Sequence, residues 1–424
     1  MNAPDRYHAL DALRAFALLL GVVFHAAESF IAGHLDWAIV DASPSLSLDI
    51  FRHASHAFRM EIFFLIAGFF ARLLYHRRGW RGFWRNRLSR IVAPLVVGWF
   101  VLYPILVFLW IWGAQKSGNW TRIELPPEYR SLPPWKLTAG FFASGQFVPT
   151  FDLTHLWFLH QLTVIYVLAL GIRAAIRTWA GPSGRLAEGL DQVLGKALSP
   201  RAGMLLLAGI TVPMLLTMDG WSVDTPQHSL WPHGPTTLLY GFLFTAGWFL
   251  HRQPHRLNDV ARHWLPNLVI GLLLVLPTRF SYDLGRVLGL IPEHRDFVRV
   301  VHTVLYATMM WGFVLGFTGL FVRFASHPSP RWRYVADSSY WVYLVHLPLV
   351  VALQVWLAYV PLPWYLKLPL ILLLTAPVLF VSYDRLVRPG WIGRCLNGRR
   401  YPRGWPDRDT HGSNAPRRTG AGSR

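Results

Sequence analysis

Cysteine is nearly absent from this chain: Cys395 is the single one in 424 residues. An internal disulfide is therefore excluded, and so is any zinc site built from paired cysteines. There is no Gly-rich loop running into Lys-Ser/Thr and no HExxH helix, which removes the common phosphate-loop and zinc-hydrolase readings. Charge is also scarce. Asp, Glu, Lys and Arg together make up 15% of the residues, against 53% hydrophobic. That is too apolar for an ordinary soluble protein. No second folded domain and no long-period repeat is visible.

What the chain has instead is long apolar runs. Ten candidate spans lie near 10–30, 53–75, 91–112, 155–176, 202–218, 236–250, 264–280, 299–322, 335–360 and 362–383. The fifth to seventh are the weakest, being short or broken by Pro213 and Pro277. The first span contains Asp11, Arg14, His25 and Glu28 with no small-residue cleavage site after it, so it is expected to stay in the mature protein. The expected fold is all-α: a polytopic membrane helix bundle of about ten transmembrane helices. One membrane domain over 1–390 and a disordered basic tail over 391–424 complete the expected organisation.

The net charge of +19 invites a nucleic-acid reading, but its distribution argues for topology. With an inside N-terminus, the cytoplasmic segments hold 28 Lys and Arg and the opposite loops hold 8. This asymmetry follows the positive-inside rule and places both termini in the cytoplasm. Membrane lipids are the expected partner of the basic surface, and nucleic acid is not.

Several ionisable residues sit where a membrane makes them costly. Arg14 and His25 are eleven residues apart in LDALRAFALLLGVVFHAAESF. Eleven steps fall about 20° past three full turns, so both side chains share one helix face, separated by a rise of roughly 16 Å. A polar cleft explains this better than lipid contact, although Arg14 snorkelling to the surface is the alternative. Glu28, three residues beyond His25, is placed to orient that imidazole. Arg87 and Arg90, three apart where the third span begins, form a potential phosphate fork. Arg77, Arg78, Arg81 and Arg85 read as an ordinary positive-inside loop. His56, Arg59 and Glu61 mark the start of the second span, Asp152, His155 and His160 flank the fourth, and His346 lies in the ninth. Trp and Tyr near span ends read as interface anchors. Basic groups thus mark one end of the bundle and His/Glu groups the other, a layout that suits group transfer across a membrane without naming the group.

At these residues the chain resembles the membrane acyltransferase-3 family, which is marked by Arg-x10-His on the first helix and Arg-x-x-Arg at the start of the third. Here these are Arg14 with His25, and Arg87 with Arg90. The stretches DALRAFALLLGVVFHAA, SHAFRMEIFFLIAGFFA, THLWFL and SYWVYLVHLPL bring it closest to the branch of periplasmic glucan succinyltransferases, the glucan biosynthesis protein C group. The resemblance covers about 8–385.

The resemblance implies acyl-CoA as a co-substrate, with no permanently bound cofactor and no metal, and a carbohydrate hydroxyl as acceptor. It implies His25 as base, with Arg14, Arg87 and Arg90 serving the donor or its acyl carbonyl. Glu28 is expected to assist the base, and Arg59, Glu61, His155 and His346 to line the acceptor side. A succinyl donor would need a further cation, for which Arg59 and Arg299 are candidates. An acyl-histidine relay and direct transfer both remain open, as do succinyl and acetyl donors. The implied location is a bacterial inner membrane. The rival readings are acetylation of a surface polysaccharide or lipid-linked sugar and, from another class, a secondary transporter.

Overall fold

The computed structural model describes residues 7–121, 123, 125–179, 189, 192 and 203–398. Among these there is no strand. The helices are α1 (His8–Ala27), α2 (Leu46–His56), α3 (Arg59–Arg87), α4 (Ala93–Ser117), α5 (Pro134–Ala143), α6 (Trp157–Trp179), α7 (Gly203–Leu216), α8 (Gly234–Leu250), α9 (Arg256–Arg262), α10 (Trp264–Leu273), α11 (Val275–Val287), α12 (Arg295–Phe324), α13 (Pro330–Leu357), α14 (Trp364–Ser382) and α15 (Trp391–Asn397). The protein is an all-α membrane helix bundle.

Helix occupies all ten positions expected to span, but the count of ten does not carry over unchanged. Seven helical stretches are long and apolar enough to cross a membrane: His8–Phe30, Leu46–Ser117, Thr154–Thr178, Trp264–Val287, Arg295–Phe324, Pro330–Leu357 and Trp364–Val387. The second and third expected spans merge into Leu46–Ser117, a stretch of 72 residues. The fifth and sixth fall short, since α7 has 14 residues and α8 has 17, against the roughly 20 that a hydrocarbon core needs.

Gly79 breaks α3 at φ +62° and ψ −173°, backbone open essentially to glycine alone. The chain then runs through a π-helical turn, Leu88–Val92, into α4. Arg87 and Arg90 sit at that turn, where the widened backbone re-aims side chains relative to a regular helix. Elsewhere small residues let helices approach closely. A Cβ at Gly68 of α3 would lie 1.8 Å from the carbonyl oxygen of Phe244 in α8, and one at Gly247 would lie 1.8 Å from that of Leu65. In a bundle without a hydrophobic force between helices, such backbone contact is a principal source of packing energy.

Helix α1 is the centre of the bundle, with Ala12, Leu13, Ala15 and Ala17 fully buried. Beside it, Lys367 of α14 donates to both oxygens of Asp41, at 2.8 and 2.9 Å, and to the carbonyl of Ala358. Both side chains are buried, so the pair ties the 31–45 connection to α14 with its charges matched. The segment expected to be a disordered tail from 391 starts as helix α15 instead. Leu396 is buried there, because it has apolar side chains to pack against. Residues 399–424 lie outside the described residues.

Candidate active site

Two cavities flank α1. The first, of about 430 Å3, is lined by His25, Glu28, Arg59, His155 and His346 together with Phe24, Trp37, Arg52 and His56. The second, of about 350 Å3, is lined by Arg14, Arg87 and Arg90 with Asp11, Tyr166, Asp337 and Tyr340. The shared helix face of Arg14 and His25 is real, but the two residues open into different cavities. Arg14, Arg87 and Arg90 share one cavity and the histidines line the other, which also holds Arg52 and Arg59.

The histidine cavity is built by elements far apart in sequence. His25 comes from the last turn of α1 and His346 from the middle of α13, with ring centroids 5.3 Å apart. His155, from the 3-10 turn before α6, lies 5.4 Å from His346. Hydrogen bonds set the tautomers. His346 Nδ1 approaches the carbonyls of Val342 and Tyr343 at 3.1 and 2.8 Å. Carbonyls only accept, so Nδ1 carries the proton and Nε2 of the neutral ring keeps its lone pair. His155 is the reverse: its Nε2 donates to the Leu344 carbonyl at 3.0 Å. His346 Nε2 and His25 Nδ1 are both buried without a hydrogen-bond partner. A buried, unpaired acceptor is costly in a finished core and useful where a substrate hydroxyl arrives.

The His25 ring is held from the other side by Trp37, stacked at 5.8 Å with planes 7° apart. The Trp37 indole donates to Gln354 Oε1 at 2.9 Å, and Gln354 Nε2 donates to the carbonyls of His25 and Ala26 at 2.8 and 3.0 Å. Gln354 therefore satisfies carbonyls left open at the end of α1 and fixes the indole over the imidazole in one move. Neither Trp37 nor Gln354 carries a motif that sequence reading could have singled out.

Arg59 lines the same cavity, its guanidinium 3.8 Å from the Phe24 ring centroid and its Nη1 buried without a partner. Arg52 also lines it, a cation that no sequence motif marks. Other expected residues stand elsewhere. Glu28 is buried in the cavity wall, but its ionisable neighbour is His34, with Nε2 2.9 Å from Glu28 Oε2, rather than the His25 ring. Glu61 is fully buried and outside the cavity lining, because the helical turn that points Arg59 inward turns Glu61 away. His160 lines neither cavity. Arg299, one of two candidates for binding an extra acyl carboxylate, clamps the 218–220 loop through the carbonyls of Met218 and Gly220. Asp152 accepts from the Thr154 N–H and shapes the turn that presents His155.

In the basic cavity Arg14 pairs with Asp11 at 3.2 Å. Arg87 lies against the rings of Tyr166 and Phe83, at 5.0 and 5.2 Å, and its Nε is buried without a partner. The Arg90 carbonyl accepts from the Tyr340 hydroxyl. Arg77, Arg78, Arg81 and Arg85 are exposed, but they lie on the C-terminal part of helix α3 rather than in the loop expected there. Three guanidiniums converging on one cavity, with Asp11 paired to Arg14, make an anion site of the kind phosphates occupy.

A family model described as an acyltransferase domain matches residues 7–384, nearly the whole chain. The chain belongs to the acyltransferase-3 family. It is a multi-pass membrane protein. Among curated relatives, the "Glucans biosynthesis protein C" sequences of Salmonella paratyphi B, Salmonella heidelberg and Salmonella schwarzengrund are each 31% identical over 170 residues, which is 40% of this chain and 39% of the relative. The match thus spans well under half the length of those relatives. No solved structure matches.

Proposed function

We propose that this acyltransferase moves an acyl group, succinyl or acetyl, from acyl-CoA held at Arg14, Arg87 and Arg90 to a carbohydrate hydroxyl in the histidine cavity. The observation that carries this reading is the pair of cavities flanking α1, one lined by Arg14, Arg87 and Arg90 and the other by His25, His155 and His346. The name of the relatives favours a glucan as the acceptor; a periplasmic site of modification and an inner-membrane location belong to the same proposal.

In this reading the CoA phosphates lie among the guanidiniums and the thioester points toward His25. The acceptor oxygen attacks the thioester carbonyl, a C–O bond forms, and the C–S bond breaks as CoA thiolate leaves. The hydroxyl proton passes to a histidine nitrogen and on to the departing thiolate. A sugar hydroxyl ionises far above neutral pH, so such a base typically contributes about 10²–10⁴-fold. The buried, unpaired Nη1 of Arg59 is a donor available to the tetrahedral oxyanion, an interaction that often outweighs the base. A two-step route through an acyl-histidine uses the same groups. A secondary transporter is disfavoured by membership of the acyltransferase family.

The test is vectorial transfer. Proteoliposomes of defined orientation receive acyl-CoA on the Arg87 side and a neutral glucan on the other. Acylated glucan is expected in the far compartment, with intact CoA and glucan both retained where they began. Product only when donor and acceptor share a compartment would defeat through-membrane transfer. Acetylated and succinylated glucans differ in mass, so the same assay identifies the acyl group.

A further inference from the structure

Leu18, Phe63, Phe158 and Tyr343 line both cavities. They come from four helices, α1, α3, α6 and α13, which converge on this one level of the bundle. The rings abut: Phe63 and Phe158 have centroids 5.4 Å apart at 46°, and Phe158 and Tyr343 lie 6.1 Å apart at 83°. The one hydroxyl of the four is already engaged, since Tyr343 donates to the His155 carbonyl at 2.8 Å. What lies between the cavities is therefore an apolar wall.

We propose that these four side chains form a septum that selects the acyl group by size. The inference rests on the acyl-transfer reading above and deepens it. The body of CoA and a carbohydrate both carry polar groups whose desolvation against an aromatic wall has no hydrogen bond to offset it. Either one stays in its own cavity, and only a short acyl chain extends past the rings toward His25. Packed aromatic walls discriminate a single methylene by about 10–200-fold. Tyr343 is also braced from the donor side: its ring stacks on Tyr340 at 6.2 Å, and the Tyr340 hydroxyl holds the Arg90 carbonyl. The wall is set by packing on both faces rather than by one movable side chain.

The test compares the wild-type protein with Phe63→Ala and Phe158→Ala, using acyl-CoA donors from acetyl to octanoyl. Each variant is expected to raise kcat/KM for hexanoyl relative to acetyl donor by at least about tenfold. A chain-length profile superimposable on wild type, with turnover retained, overturns the septum. A preparation that turns over no acyl-CoA defeats the acyl-transfer reading instead, and the septum is then judged by thiol access. Gly21 lines only the histidine cavity, and a Cβ there meets nothing closer than 3.9 Å. In a Cys395→Ser, Gly21→Cys protein, thiol reagents of graded width are applied from the Arg87 side while the other side is quenched. Phe63→Ala and Phe158→Ala are expected to admit wider reagents than the unmodified septum. Equal admission overturns the proposal.

Discussion

The imidazoles of His25 and His346 face each other at 5.3 Å, and each presents a buried nitrogen with no hydrogen-bond partner. Because His346 Nδ1–H is spent on its own helix carbonyls, the nitrogen it offers to the cavity is an acceptor. The pair joins the residue that the family motif marks to one that lies more than three hundred positions away in the chain.

His25→Ala is expected to leave the protein inserted and folded and to lower acyl transfer by about 10²–10⁴-fold. His346→Gln is expected to lower kcat more than it changes CoA affinity, because His346 lines the acceptor cavity only. Initial rates with acyl-CoA, beside CoA binding to the same preparations, check both. Wild-type rates in His25→Ala would remove it from the chemistry.

The donor site makes a different demand. Arg87→Ala and Arg90→Ala are each expected to weaken CoA binding by about 1.5–3 kcal/mol, the worth of a hydrogen bond to a charged group. Arg87→Lys should recover only part of this, since an ammonium keeps the charge but not the planar fork or the ring contacts with Tyr166 and Phe83. Calorimetric titration with CoA is the measurement. Undiminished affinity in the double variant would leave these arginines a topological role alone.

Lys367→Ala strands the Asp41 carboxylate in a buried site. Removing one partner of a buried ion pair costs about 3–5 kcal/mol. Thermal unfolding in detergent should show a large drop in midpoint for Lys367→Ala and a smaller one for the double variant Asp41→Asn, Lys367→Met. Equal losses would mean that the pair's charges are not what binds the 31–45 connection to α14.

Gly68→Ala tests the closest helix approach. Its methyl would stand 1.8 Å from a backbone oxygen, a contact no rotamer relieves, so α3 and α8 must part. The expected result is lower thermal stability and impaired insertion, measured by detergent-resistant folded yield. Gly140→Ala, where a Cβ meets nothing within 4 Å, serves as the comparison and should change little.

Much of this was legible in the chain itself. Apolar run length located the helices, because the bilayer demands nearly uniform lengths of apolar residues and every backbone group must bond within its own segment. Helical periodicity put Arg14 and His25 on one face, and the order of Arg-x10-His before Arg-x-x-Arg pointed to the family. Tertiary structure decided the rest. That His346 and His155 reach His25, that Glu61 turns away from the cavity, that Arg299 serves a loop, and that Trp37 and Gln354 frame the base all depend on how helices distant in sequence pack. Helix α13 is buried over much of its circumference, so no periodic pattern distinguishes the face that bears His346 from its others. Convergence of four helices on one aromatic wall is likewise a property of shape, set by close packing between helices, and one-dimensional spacing carries no record of it.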